Sequence, residues 1–349
     1  MHSPAIQTRA LRKVYPAPSG VRSAPRAHPG GHPGGHPGVP SARRTTPSAD
    51  GDVVALEGLD LAVGEGEFFG LLGPNGAGKS TTLGILTTRV LPTGGEARVA
   101  GADVVRDPVG ARLRLGVVPQ RPNPDRQLSV EENLLFHAAY YGVPVGEARR
   151  RADALLERFR IAETRHRRPD QLSGGQQQRL MIARALIHAP RVIFLDEPTV
   201  GLDPQARLAL WEVLRALHAD GRTIVMTTHY MEEADRLCDR VAIVDRGQLL
   251  ACDTPAALRA RAPGGTLVEL ALDGDAAGAA DVARGAAIEG VGAIEAHGDT
   301  LRATAARSGP ALPGLLDAAE RAGRSVHDVR LVPPSLESLF VALTGRTLG

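Results

Sequence analysis

The stretch GPNGAGKST, residues 73–81, decides how this chain folds. It fits the pattern G-x-x-x-x-G-K-[ST] between an apolar strand and a helix, which is the context in which this pattern binds a nucleoside triphosphate. Glycines let the loop wrap closely, so its N–H groups and the helix start face the phosphates. A chance glycine-rich turn is the alternative, and the flanking elements disfavour it. The predicted phosphate-binding residues are Gly73, Pro74, Asn75, Gly76, Ala77, Gly78, Lys79, Ser80 and Thr81.

Lys79 and Ser80 carry the chemistry of this loop. The Lys79 ammonium is a compact charge that fits between the β- and γ-phosphates, where a planar guanidinium is too bulky. The Ser80 hydroxyl would ligate Mg²⁺. We therefore expect a bound nucleotide with its metal ion at this loop.

A second apolar strand, 192–195, ends in the acidic pair Asp196 and Glu197. Buried strands that end in carboxylates are costly unless the carboxylates hold a cation or act on a proton. Beside a phosphate loop, we expect Asp196 to orient Mg²⁺ and Glu197 to polarise the attacking water. A solvated acidic pair is the alternative, and it would be credible only without such a loop.

The segment LSGGQ, residues 172–176, is a glycine turn that opens a helix. A serine hydroxyl and glycine N–H groups at a helix start form another anion site. One chain therefore carries two phosphate-binding ends. Both ends can hold one nucleotide if two copies of the chain meet head to tail.

Taken together, these three stretches resemble the ATP-binding-cassette (ABC) ATPases over residues 5–16 and 51–260. LSGGQ separates that family from other P-loop proteins. The resemblance implies ATP and Mg²⁺ as cofactors and a homodimer of ATPase subunits. It makes Lys79, Glu197 and His229 catalytic. The resemblance also implies that Tyr15 stacks on adenine and that Gln120 contacts the nucleotide and ligates Mg²⁺. The remaining implied nucleotide contacts are the signature residues Ser173, Gly174, Gly175 and Gln176, together with Asp203.

Two shorter strings, EPTVGLDPQ (197–205) and PSLESLFVALTGR (334–346), look most like ATPases of the daunorubicin-resistance type. This resemblance implies an exporter ATPase, peripheral on the cytoplasmic side of the cell membrane. It would power efflux of a hydrophobic drug-like compound through a separate permease. A soluble ABC ATPase acting on ribosomes or DNA and an importer ATPase are the alternatives. The chain has neither the second cassette nor the long coiled coils usual in the former.

Composition agrees with a protein that has no nucleic-acid partner. The net charge is +2 and aromatic residues make up 3% of 349 residues, so neither a basic surface nor base stacking is indicated. Two cysteines form no disulfide framework and suit a reducing cytosol. Neither a signal peptide nor an apolar run of membrane-spanning length is expected.

The expected fold is an α/β P-loop core with antiparallel β and helical subdomains, followed by a small α+β domain of ferredoxin-like type. We predict four regions: a first strand in 1–16, an insertion in 17–50, the ATPase domain in 51–260 with its helical subdomain at about 121–175, and an accessory domain in 265–349. The accessory domain carries no catalytic pattern, and its role in regulation, dimerisation or docking stays open.

The insertion contains RAHPGGHPGGHPGVP, residues 26–40. Its Pro, Gly, Ser, Arg and His content cannot bury a core, which predicts disorder. His28, His32 and His36 could catch a transition metal, but Pro and Gly deny them a helix face and the repeat has no Cys, Asp or Glu. We interpret the repeat as a spacer, with metal binding as the alternative.

Overall fold

A computed structural model describes residues 4–16, 52–263 and 265–346. The predicted insertion 17–50 and its histidine repeat lie outside these residues. Contacts between residues divide the chain into two compact units, 1–252 and 253–349. Each unit is described below by itself.

The described residues of the first unit contain ten strands, which form two sheets. An antiparallel sheet has the order β2-β1-β4-β5, and a six-stranded sheet has the order β10-β9-β3-β8-β7-β6. The strands are β1 (Ile6–Tyr15), β2 (Val53–Val63), β3 (Phe68–Leu72), β4 (Gly94–Val99), β5 (Ala102–Asp103), β6 (Leu115–Val118), β7 (Val192–Asp196), β8 (Thr223–Thr228), β9 (Arg240–Asp245) and β10 (Gln248–Asp253).

The six-stranded sheet positions the site. Strand β3 pairs in parallel with β8 and β9, and β7 pairs in parallel with β6 and β8. Every residue of β3, β7 and β8 is buried, as expected for parallel strands covered on both faces. Because parallel strands end at one edge, the segments that follow β3, β7 and β8 meet there.

Eight α-helices lie in the part of the chain from residue 52 to residue 263 that the structure describes. They are α1 (Lys79–Leu86), α2 (Pro108–Arg114), α3 (Val130–Tyr140), α4 (Val145–Arg158), α5 (Gly174–Leu186), α6 (Pro204–Ala219), α7 (Met231–Leu237) and α8 (Pro255–Ala260). Helix α1 contacts both sheets through β2, β4 and β7. Its Leu83, Ile85 and Leu86 belong to the main hydrophobic core, so the start of α1 is held rigidly.

Helices α3, α4 and α5 pack against one another and form the helical part of the unit. Two of them begin with capping boxes that the sequence pattern indicates. Ser129 caps α3 with Glu132, and Ser173 caps α5 with Gln176. In each box the serine Oγ accepts a backbone N–H hydrogen bond, and the longer side chain accepts one from the N–H of the serine. These bonds fix the residue at which each helix begins.

The second unit contains a four-stranded antiparallel sheet in the order β12-β13-β11-β14. Its further elements are β11 (Thr266–Leu272), α9 (Ala277–Gly285), β12 (Val291–His297), β13 (Thr300–Ala305), α10 (Ser308–Arg321), β14 (Val326–Val332) and α11 (Leu336–Thr344). Buried side chains of α9 and α10 cover one face of the sheet. The strand–helix–strand–strand–helix–strand order is the one expected of a ferredoxin-like domain, and that assignment stays a prediction.

The division between the units falls after Cys252, before the predicted end of the ATPase domain at residue 260. Helix α8 packs against α11, which assigns α8 to the second unit. The Pro-Gly-Gly run at 263–265 therefore falls inside that unit rather than at its start. Among residues 4–16, 52–263 and 265–346, no helix combines the length and hydropathy needed to cross a membrane.

Candidate active site

The phosphate loop after β3 is packed so closely that two of its glycines cannot be replaced. Gly78 has a φ of 106°, which disfavours any side chain, and a Cβ there would lie 2.8 Å from the Ala55 carbonyl oxygen. A Cβ on Gly73 would lie 2.2 Å from the Val244 carbonyl oxygen. The Gly247 N–H donates to the Ala77 carbonyl oxygen at 2.9 Å. The loop is thus fixed in shape before any ligand binds.

The start of helix α1 is suited to an anion. No side chain caps it, and its first turn carries no acidic residue, whereas Ser129 and Ser173 cap α3 and α5. The first N–H groups of a helix have no partner within the helix, and the helix dipole places partial positive charge there. Phosphate groups fit this end of α1.

Lys79 lies at the centre of the site, next to Glu197. Its Nζ is 3.3 Å from Glu197 Oε1, and the two side chains are 4% and 8% exposed. The ammonium also donates to the carbonyl oxygens of Gly73, at 2.7 Å, and Pro74, at 3.2 Å. Burial lowers the pKa of Lys79 below its ordinary value, while the negative charges of Glu197 and Asp196 oppose that shift.

The backbone at Glu197 is unusual for a residue with a long side chain. Its φ is 46°, in the left-handed region that few such residues adopt. The Glu197 N–H donates to Thr227 Oγ1 at 3.0 Å, and the Thr227 hydroxyl donates to Asp196 Oδ1 at 2.7 Å. Because β7 and β8 are adjacent, Thr227 holds both carboxylate residues at the strand end. This geometry directs Glu197 toward Lys79.

Two further predicted residues reach the same carboxylate. Gln120, which follows β6, donates through Nε2 to Glu197 Oε2 at 3.0 Å. His229, which follows β8, has its Nδ1 3.4 Å from Glu197 Oε2. That Nδ1 is buried and has no hydrogen-bond partner in the described part of the chain. Glu197 is therefore the meeting point of three strand ends and the phosphate loop.

A cavity of about 210 Å³ opens over the phosphate loop. Tyr15 forms part of its wall and is 37% exposed, and Lys13 Nζ lies 4.8 Å from the centre of its ring. An exposed aromatic ring beside a phosphate loop suits a flat base. The lining residues are Tyr15, Val53, Ala55, Pro74, Asn75, Gly76, Gly78, Lys79, Ser80, Thr81 and Glu197.

The oxygen donors at the site suit Mg²⁺. Ser80 lines the cavity, and Asp196 lies beside Glu197 at the end of β7. Carboxylate and hydroxyl oxygens are the ligands that this hard cation prefers, together with phosphate oxygens. The residues present therefore fit a magnesium nucleotide.

The signature residues 173–176 and Asp203 do not line this cavity. They lie at the starts of α5 and α6, which pack against each other. Ser173 and Asp203 each accept an N–H hydrogen bond at those starts, and a Cβ on Gly175 would lie 3.4 Å from Ala206 Cβ. The phosphate loop and the signature segment are thus two separate places on one chain.

Sequence reasoning missed a buried carboxylate behind the site. Glu233 on α7 is 1% exposed. Its Oε2 accepts from Thr228 Oγ1 at 2.7 Å, and its Oε1 accepts from the Thr199 hydroxyl. Thr199 follows the acidic pair and Thr228 precedes His229, so Glu233 joins the two segments. The only available signal was a glutamate four residues after His229, which by itself indicates nothing.

Sequence reasoning also missed a stack of side chains that reaches His229. The guanidinium carbon of Arg207 on α6 lies 4.7 Å from the Tyr230 ring centre. The Tyr230 ring centre lies 4.2 Å from that of His229. Arg207 Nε is buried without a hydrogen-bond partner in the described residues, so the aromatic ring is its main contact. The start of α6, near Asp203, is thereby linked to the histidine beside Glu197.

Comparison with known proteins places this site in a family. The family model described as ABC transporter matches residues 56–200. The daunorubicin resistance ATP-binding protein DrrA3 of Streptomyces coeruleorubidus is 40% identical, covering 84% of this chain and 92% of that protein. The chain belongs to the ABC transporter ATP-binding proteins. It is an ATPase that uses ATP and Mg²⁺.

Two further similarities agree with this assignment. The Nod factor export ATP-binding protein I of Cupriavidus pinatubonensis is 41% identical over 85% of this chain and 88% of its own length. The dimeric post-hydrolysis structure of the ATP-binding cassette MJ0796, bound to ADP and phosphate, has a TM-score of 0.58 at 26% identity. It covers 71% of this chain and 98% of its own. The predicted α/β ABC ATPase fold is confirmed.

Replacing Arg207 by alanine should slow ATP hydrolysis without weakening ATP binding. The variant loses the cation–π contact that holds Tyr230 against His229, and such a contact of about 1 kcal/mol corresponds to about a five-fold fall in kcat. The KM for ATP should stay close to wild type, because Arg207 does not line the cavity. Steady-state phosphate release across ATP concentrations measures both.

Arg236→Ala is the matched control. Arg236 lies 5.5 Å from the Trp211 ring centre, so it makes the same type of contact between α6 and α7 at a distance from His229. An equal fall in kcat for both variants, or a changed KM for Arg207→Ala alone, would contradict a positioning role. Arg207→Lys should recover part of the rate.

Proposed function

We propose that this chain is the ATP-hydrolysing subunit of an exporter and works as a homodimer that encloses two ATP·Mg²⁺. The observation that carries the proposal is the Glu197 carboxylate, held 3.3 Å from Lys79 Nζ beside the phosphate loop. The chain's signature residues lie outside its own cavity. Each ATP is bound by the phosphate loop of one chain and the signature segment of the other.

Within each site, the residues have different roles in binding and hydrolysing ATP. The phosphate loop and the start of α1 bind the phosphates, and Lys79 neutralises their charge. Ser80, Asp196 and Gln120 would hold Mg²⁺, which when bound would supply positive charge to the phosphate groups. Glu197 accepts a hydrogen bond from the attacking water and polarises it, while His229 orients Glu197 and the terminal phosphate. Tyr15 stacks on adenine.

The second chain completes the site through Ser173, Gly174, Gly175 and Gln176. The start of α5 supplies backbone N–H groups and the Ser173 hydroxyl to the γ-phosphate, and Asp203 faces the partner across the interface. Both groups lie at helix starts that are close together on one chain. The dimeric cassette structure with bound ADP and phosphate supports an assembly of two copies.

Communication with the permease runs through the helical part of the first unit. Gln120 bonds Glu197, and the helical segment follows it in the chain. Helix α3 exposes Phe136 and Tyr140, which are 70% and 77% exposed. Large exposed apolar side chains of this kind mark contact surfaces. We infer that they receive the membrane subunit and that this subunit holds the chain at the cytoplasmic membrane surface.

The direction of transport is inferred from the relatives. One is named for daunorubicin resistance and another for Nod factor export. The second name describes outward movement and the first describes resistance to a drug, which together favour an exporter over an importer ATPase and over an ATPase that acts on ribosomes or DNA. We propose a hydrophobic drug-like compound as the cargo, bound by the permease.

Two substitutions separate hydrolysis from binding. Glu197→Gln keeps the size of the side chain but cannot polarise water, so turnover should fall at least about 100-fold while ATP still binds. Lys79→Ala removes the buried ammonium and should weaken ATP binding at least about ten-fold. Phosphate release and calorimetric ATP titration measure the two effects.

Turnover by Glu197→Gln near the wild-type rate would reject Glu197 as the residue that activates water. Unchanged ATP affinity in Lys79→Ala would reject the phosphate loop as the nucleotide site. Glu212→Gln is a suitable control, since Glu212 is an exposed carboxylate that pairs with Arg215 on α6.

Export itself is tested in cells that carry the chain together with the membrane protein that co-purifies with it. Drug-sensitive bacteria with both proteins should accumulate less of a fluorescent anthracycline than cells with the permease alone. Glu197→Gln should abolish the difference, because efflux requires hydrolysis. Efflux that is equal with the wild-type and Glu197→Gln chains would contradict the proposed coupling.

A further inference from the structure

Strand β14 of the second unit has an uncovered edge. It stands at the end of the sheet order and pairs with β11 as its one neighbour among the described strands. Five of its seven residues carry apolar or charged side chains that are largely exposed, and Val329, Leu331 and Val332 are 39%, 45% and 36% exposed. An exposed apolar edge strand is a template for pairing with another strand.

The backbone of β14 faces outward at Val329. Its N–H donates to Asp328 Oδ1 at 2.9 Å, so this donor already has an acceptor within its own strand. In an antiparallel ladder the N–H and C=O groups of alternate residues point to the same side, so Leu331 presents its groups in the same direction. A side-chain carboxylate thus covers a backbone donor that another strand could use.

The sequence of β14 is complementary to itself. In VHDVRLV, residues 326–332, Val329 is the middle residue, with an aspartate before it and an arginine after it. When two such strands pair antiparallel about Val329, Asp328 of each lies opposite Arg330 of the other. We propose that β14 pairs with β14 of a second copy of this chain, in this register, and joins the two sheets into one of eight strands.

The charges on the outer face of the sheet favour the same register. Cross-strand neighbours form the row Glu295, Arg302, Glu269 and Arg330 across the four strands, and Arg302 Nε lies 2.9 Å from Glu269 Oε1. The signs alternate along the row and end in the positive charge of Arg330. Asp328 of the second copy continues the alternation, since opposite charges directly across strands attract.

Val329 and Leu331 of β14 lie on the other face. Val329 is the register partner of Leu270, and Leu331 that of Val268, and both β11 residues are fully buried in the core. Pairing about Val329 places each copy's Val329 against its counterpart on the core face. Each copy thereby shields the exposed apolar side chains at the β14 edge of the other copy's core. Shifting the register by one residue would put the charged residues opposite the apolar ones, and shifting it by two would put like charges opposite each other.

Charge-reversal variants of the full chain test the pairing without nucleotide. In Asp328→Arg, and separately in Arg330→Asp, both symmetric ion pairs become repulsive, which should weaken self-association about ten-fold or more. The double variant D328R/R330D restores opposite charges across the strands and should return within about three-fold of wild type. Sedimentation equilibrium gives the dimer dissociation constants.

A wild-type chain that stays monomeric without nucleotide up to about 100 µM, or a double variant as weak as the singles, would overturn the proposal. Asp281→Arg is the control, because it makes the same charge change on the exposed face of α9. Val329→Pro should abolish pairing while the unit stays folded, because it removes an N–H that donates within its own strand. ATP-driven dimerisation through Ser173 should persist in all these variants, which separates this interface from the nucleotide site.

Discussion

The contact between Lys79 and Glu197 is the constraint on which the rest of the structure depends. Two opposite charges that are 4% and 8% exposed lie 3.3 Å apart, and either charge alone would be costly to bury. The pair forms only if the phosphate loop after β3 and the end of β7 meet at one edge of the sheet. Parallel pairing through β8 brings them there. When ATP binds, its phosphates add negative charge that the Lys79 ammonium neutralises.

Much of the site could be predicted because its residues follow short, rigid patterns. The glycine-rich loop, the acidic pair after an apolar strand and the LSGGQ helix start each have local physical causes. The links between segments could not be predicted. Glu233 meets Thr199 and Thr228, and Arg207 meets Tyr230, only through the packing of α6 and α7 against the strand ends. Chain spacing carries no information about such contacts.

The second unit illustrates the same limit. Its alternating strands and helices were expected from residue patterns, but the sequence did not reveal which strand stands at the edge. The complementarity of Asp328 and Arg330 acquires meaning only when β14 is known to have an uncovered side. Likewise, α8 is assigned to the second unit because it contacts α11. The Pro-Gly-Gly run after α8 instead suggested that the second unit begins later in the chain.

If each ATP is bound by residues of two chains, two inactive chains with different defects should restore activity when they are combined. Ser173→Arg and Lys79→Ala chains should each be inactive alone. When the two variants are mixed one to one, half of the dimers contain one chain of each kind. Each of these mixed dimers keeps one intact site of its two, so the mixture should recover up to about a quarter of wild-type phosphate release. A mixture as inactive as its components, or a Ser173→Arg chain as active as wild type, would contradict the shared site.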